Sequence, residues 1–139
     1  MPLDTDVGAQ VQRELTVFAR RIRASSARLH PDLPFVAYSM LSHVDATGGC
    51  RSVDLVHLYR LDKSTVSRQV GDLEARGLVS RSSDPAGGRG QLLRVTPAGA
   101  DLLDEAAGRR RAELDRRLAA WDPADVEVFA RLLRRYNAD

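Results

Sequence analysis

Leu61-Asp62-Lys63-Ser64-Thr65-Val66-Ser67-Arg68-Gln69-Val70-Gly71-Asp72-Leu73-Glu74-Ala75-Arg76-Gly77 is the stretch whose reading decides the fold. Asp62 is placed to cap a helix, because its carboxylate can accept hydrogen bonds from the unpaired amides of a first turn. Gly77 is placed to end that helix, because the left-handed cap conformation costs glycine little. Between them Val66, Val70 and Leu73 recur at i, i+4 and i+7, one apolar stripe and therefore one buried face. The other face carries Lys63, Ser64, Ser67, Arg68, Gly71 and Ala75. It is donor-rich and not bulky. A helix that enters a DNA major groove needs small hydroxyls and long donors near its N-terminus, with nothing large to hold it off. Ser64, Thr65, Ser67, Arg68 and Gln69 meet that need. An ordinary solvated amphipathic helix shares the same stripe, so the flanking segments must decide between the two.

Upstream, Ser52 is expected to cap a short helix over residues 53–59, with Asp54 complementing the helix dipole. Arg60-Leu61 then makes a brief turn. Two short helices joined by a tight turn, the second with a donor-rich face, form the helix-turn-helix pattern. Downstream, the period changes. Residues 78–82 and 91–95 read as two strands around Ser83-Asp84-Pro85-Ala86-Gly87-Gly88-Arg89-Gly90, a hairpin tip rich in glycine. Such a hairpin is a wing, and Arg89 at its tip is placed to reach a phosphate or enter a minor groove.

Two helices precede this module. Val7, Val11, Leu15, Phe18 and Ile22 keep helical spacing over residues 7–29. Pro31 and Pro34 end that run, and Pro34 opens a second helix to about Ala46, with Val36, Met40, Leu41 and Val44 as its buried side. Two more follow. Thr96-Pro97 starts one that runs to about Trp121, with a stripe of Leu103, Ala107, Leu114 and Leu118. Asp122-Pro123 starts the last, faced by Val126, Phe129, Leu132, Leu133 and Tyr136.

Composition sets the bounds. The chain has 139 residues, 29% charged and 43% hydrophobic, as expected of one soluble globular domain. No apolar run reaches the roughly 20 residues that span a bilayer, and residues 1–9 lack the apolar core of a secretory signal. A cytoplasmic protein is expected. Cys50, the single cysteine, excludes an internal disulfide and a cysteine-rich zinc site. Net charge is only +2, yet between Gly77 and Thr96 the bases Arg81, Arg89 and Arg94 face a single acid, Asp84. Local basicity of that kind suits phosphate contact.

Leu55-Val56, the run from Leu61 to Arg68, the run from Leu73 to Arg81, and Val95-Thr96-Pro97-Ala98-Gly99 together resemble the MarR family of bacterial transcription regulators. The motif covers residues 52–99, and the flanking helices fit the family's layout. The resemblance implies a mainly α fold with a small antiparallel β wing: a winged helix-turn-helix of six helices in an intertwined homodimer. It implies one regulator domain over residues 1–139. About residues 34–99 would form the DNA-binding lobe, and about 5–30 and 100–139 the helical dimerisation region. It further implies a repressor of a near-palindromic operator on double-stranded DNA, released by a small aromatic or anionic effector. Two departures from the family pattern stand out. Gly87 replaces an acid that commonly pairs with the wing arginine, which is expected to loosen the tip. Arg60 replaces a glycine in the turn between the third and fourth helices.

On this reading Lys63, Ser64, Thr65, Ser67, Arg68 and Gln69 are the recognition-helix contacts, with Arg68 favoured for guanine. Arg81 and Arg89 are the wing contacts. Tyr38 and His43 are candidates for an effector pocket, and Trp121 is expected in the core. Cys50, assigned to a loop, reads as an incidental thiol. His30, His43 and His57 lack metal spacing, and no nucleophile–base pair or cofactor loop is visible, so no metal, cofactor or enzymatic activity is expected. Arg109-Arg110-Arg111 reads as a solvated helix face. The alternative is a winged-helix interaction module that has given up DNA, which acids or bulky apolar groups on the recognition face would favour.

Overall fold

Capping residues set most helix starts, and a proline or glycine follows closely on half of the helix ends. The computed structural model describes residues 4–88 and 90–138. Its elements are α1 (Thr5–Leu29), α2 (Phe35–Ala46), β1 (Cys50–Arg51), α3 (Ser52–Tyr59), α4 (Lys63–Ala75), β2 (Val79–Ser83), β3 (Gln91–Val95), α5 (Pro97–Leu118) and α6 (Pro123–Asn137). The chain divides into two compact units, Met1–Ala106 and Ala107–Asp139. The mainly α, winged architecture expected from the sequence is the one adopted.

In the first unit, β3 is the middle strand of an antiparallel sheet ordered β1-β3-β2. Val79 pairs with Val95 and Ser83 with Gln91, while Cys50 pairs with Leu93. Strand β1 is a correction to the sequence reading, which left Cys50 in a loop. Its backbone completes the sheet, and Cys50 is buried. Burial, and secondly the nearby Asp54 charge, push the Cys50 thiol up to about 11. At neutral pH it is a thiol and not a reactive thiolate. The strand also moves the start of α3. Arg51 is extended, so it and not Ser52 is the capping residue, and its N–H donates to Asp54 Oδ2 at 2.8 Å.

The core gathers Met40, Leu41 and Val44 from α2, Leu55 from α3, Val66, Val70 and Leu73 from α4, and Leu78, Val79 and Leu93 from the sheet. Ala37 takes the fully buried place expected of Val36, which is half-buried. In α5 the buried positions are Gly99, Leu103 and Ala106. The expected stripe through Ala107 is therefore displaced by one residue, because i+3 from Leu103 faces the lobe and Ala107 is exposed.

Along α1, Val7, Val11 and Phe18 are each about half exposed and Leu15 is over a third exposed, so the first helix keeps an uncovered apolar stripe. In the second unit, α6 has no buried residue, and Val128, Leu132 and Tyr136 are exposed on it. Trp121 is also exposed, against the expectation of a core position. It follows the end of α5, and its ring leans on Phe129 with centroids 5.6 Å apart.

One junction holds the lobe's elements together. The Gly77 N–H donates to Glu74 O and the Leu78 N–H to Leu73 O, the paired bonds of a Schellman cap, with Gly77 at φ +70°. Thr96 Oγ1 donates to Gly77 O, and the Thr96 N–H donates to Leu78 O at 3.0 Å. The same hydroxyl accepts from the Gly99 N–H at 3.1 Å and so caps α5. Gly99 lies directly on the Leu78 carbonyl. A Cβ there would overlap that oxygen and sit 2.8 Å from Val95 Cγ1. Gly99→Ala is expected to lower unfolding stability by about 1–3 kcal/mol through overpacking, measured as a shifted urea midpoint.

Candidate nucleic-acid interface

The capping chemistry of α4 fixes the first residues of its outward face. Asp62 caps the helix as expected, and the Thr65 N–H donates to its Oδ2 at 3.2 Å. The Ser64 and Thr65 hydroxyls donate to the same carboxylate. These bonds, that from Ser64 first, hold the Asp62 carboxyl well below the usual range. The folded-state pKa is lowered. The cap's stabilisation is therefore complete above the ordinary carboxylate range and lost only as pH falls below it. Because both hydroxyl protons are directed at Asp62, Ser64 and Thr65 keep only acceptor lone pairs for any further partner.

Val66, Val70 and Leu73 are at most 2% exposed. Their burial fixes the rotation of α4, so Lys63, Ser64, Ser67 and Arg68 are exposed, with Thr65 and Gln69 half-buried at the edges. Lys63, Ser64, Ser67 and Arg68 thus lie on the exposed side of the helix, while Thr65 and Gln69 flank its buried stripe. The structure keeps the wing candidate Arg81 exposed on β2, where its Nε donates to Glu74 Oε2 at 2.7 Å. That pair braces the wing against the end of α4, a link that sequence reasoning missed. Arg89, the other wing candidate, lies outside the described residues.

The turn into α4 carries backbone strain at Arg60. Arg60 adopts φ 51° and ψ 39°, the left-handed conformation. Near it, Ser39 Oγ and Tyr59 OH are hydrogen-bonded between α2 and α3. The side chain of Arg76 donates to Asp32 O, tying the end of α4 to the segment before α2.

The two effector candidates are not brought together. Tyr38 and His43 are both half-buried on α2, but five residues of helix turn them roughly 140° apart. Tyr38 instead stacks on the ring of His30, with centroids 5.0 Å and planes 11° apart. His30 and Ser26 are the buried polar residues of this region. Among the described residues, no group of three or more His, Cys, Asp or Glu is arranged to hold a metal. No helix among them is long and apolar enough to cross a membrane.

Comparison with known proteins agrees with this geometry. A family model described as the MarR family matches residues 32–90. The HTH-type transcriptional regulator YxaD of Bacillus subtilis, itself uncharacterized, is 35% identical over 129 residues, covering 91% of this chain and 90% of its own. The structure of BpsR from Bordetella bronchiseptica, whose DNA binding is described as regulated by 6-hydroxynicotinic acid, is 27% identical. It covers all of both chains with a TM-score of 0.72. A MarR family protein from Bacillus stearothermophilus has a TM-score of 0.86 at 20% identity, covering 97% of this chain and 96% of that one, a likeness of fold.

The Arg60 strain has a measurable consequence. Left-handed backbone costs a residue with a Cβ roughly 1–2 kcal/mol, and glycine loses part of that gain to its larger unfolded-state entropy. Arg60→Gly is expected to raise stability by about 0.5–1 kcal/mol, seen as a higher urea midpoint at unchanged m-value.

Proposed function

Because this chain belongs to the MarR family of DNA-binding transcriptional regulators, we propose that it is a repressor that grips a near-palindromic operator as a homodimer and lets go when a small molecule binds. Helix α4 lies in the major groove and the β2–β3 wing beside it. The observation that carries this reading is the fixed rotation of α4: three buried side chains turn Lys63, Ser64, Ser67 and Arg68 outward. Arg68 reads guanine through a bidentate pair. Ser64 and Thr65, with their protons held by Asp62, accept from the amino groups of adenine or cytosine. Ser67 and Gln69 contact base edges or neighbouring phosphates. Lys63, Arg81 and Arg89 meet phosphate or the minor groove.

Residues 34–99 form the DNA-binding lobe in this proposal, and residues 5–30 and 100–139 the dimerisation region. The uncovered stripe of Val7, Val11, Leu15 and Phe18 on α1, and that of Val128, Leu132 and Tyr136 on α6, support it. Apolar rows of that kind are stable in water when a second copy covers them. The effector is a small aromatic anion. BpsR is described as responding to a hydroxylated nicotinic acid, and here Tyr38 and His30 form an aromatic wall beside buried Ser26. His43, on another side of α2, contributes at most from an edge.

Fluorescence anisotropy with an operator and a scrambled duplex, at two salt concentrations, tests the residue roles. Arg68→Ala is expected to erase about 1–3 kcal/mol of discrimination between the two duplexes for each half-site. Arg89→Ala should weaken both alike and reduce the salt slope by about two, one for each wing of the dimer. Unchanged affinity and preference in Arg68→Ala would show the assigned register of α4 to be wrong.

A further inference from the structure

Arg51 stands apart from every residue so far assigned to DNA, yet it touches the module in three places. Its backbone is part of β1, paired with Leu92 of β3. Its N–H caps α3 through Asp54. Its guanidinium crosses to the far end of the hairpin and donates to Asp84 Oδ2. Asp84 in turn organises the tip: its Oδ1 accepts from the Ala86 N–H at 2.9 Å, and its carbonyl accepts from the Gly87 N–H at 3.0 Å. The pair is partly shielded, with 30% of the Arg51 side chain and 14% of the Asp84 side chain exposed. The guanidinium also lies against Gly88, where a Cβ would come within 2.8 Å of its Cζ. The hydrogen bond from Arg51, first among the causes, holds the Asp84 carboxyl below the usual range, with Arg94 adding a weaker pull.

We propose that Arg51 is the positioning residue of the wing: seated between the Asp84 carboxylate and Gly88, it latches the hairpin tip to the start of the helix-turn-helix and sets the attitude in which the wing meets DNA. The inference rests on the wing's DNA role proposed above. The latch supplies a hold that Gly87 and Gly88, lacking side chains, cannot provide within the hairpin. That hold comes from α3's end of the sheet, 33 residues away in sequence. It also neutralises an acid that would otherwise face the phosphates.

The test uses the full chain and a duplex carrying the site that the wild-type protein selects from a random pool. Asp84→Asn removes a negative charge from the wing, so simple electrostatics would tighten binding. The latch requires the reverse: binding weaker by roughly ten-fold, since both wings of a dimer lose the pair. Minor-groove protection from hydroxyl radicals should vanish at the flanks, while protection of guanine N7 in the major groove persists, which a merely misfolded variant would not show. Arg51→Gln should behave alike, and the double variant should be no weaker than either single one. Gly88→Ala, which pushes the guanidinium off Asp84, should give the same pattern without any change of charge. Equal or tighter binding by Asp84→Asn, or additive losses in the double variant, would overturn the latch. Wild-type protein that protects the major groove but never the flanks would instead refute the wing's DNA role, and the latch with it.

Discussion

The hydroxyl of Thr96 sits where α4, β2, β3 and α5 meet. It donates to the carbonyl that ends α4, accepts from the first turn of α5, and its own N–H is bonded to the carbonyl just before β2. These bonds need the backbone at Gly99 to lie on the backbone at Leu78, an approach that a side chain would prevent. The attitude of α4, the root of the wing and the departure of α5 are therefore one problem with one solution. A buried backbone carbonyl without a partner is costly. At this junction the buried Leu78 carbonyl accepts from the Thr96 N–H.

With its end held there, α4 is oriented by its three buried side chains, and Asp62 prepares its outer end. The carboxylate that caps the helix also takes the protons of Ser64 and Thr65. One residue thus decides both where the helix begins and what hydrogen-bonding character its first turn presents. The strain at Arg60 lies in the turn immediately before this cap. Ion pairs then brace the wing from two sides: Glu74 with Arg81 at its root, and Arg51 with Asp84 at its tip. Each is a modest interaction by itself. Their effect is to limit how far a short hairpin can swing, which reduces the ordering cost when it meets a partner.

Much of this was legible in the sequence because it is written locally. Asp62, Gly77, Thr96-Pro97 and Asp122-Pro123 mark helix ends by their own chemistry, and the α4 stripe spans only eight positions. Strand β1 was not legible: two residues carry no period, and Gly48-Gly49 before them reads as a loop. Through-space pairs were invisible for a different reason. Glu74 and Arg81 are seven residues apart across a cap, and Arg51 and Asp84 are 33 apart, so no local spacing announces either. The slip in α5 from Ala107 to Ala106 arose because alanine fits a buried or an exposed place equally well. Trp121 misled because a large aromatic suggests a core, whereas this one follows a helix end and leans on Phe129, itself half-buried.

The most direct measurement is selection of a random duplex pool by the wild-type protein, with the bound DNA sequenced at two salt concentrations. Two recognition faces carried by a symmetric pair of lobes require two inverted half-sites, with centres about 10–10.5 base pairs apart or a multiple of that. Affinity for the selected duplex should fall steeply with salt. Enrichment of a single unrepeated half-site would contradict the dimeric arrangement. Weak binding with no enriched sequence, in protein shown to be free of bound small molecules, would contradict sequence reading by the outer face of α4.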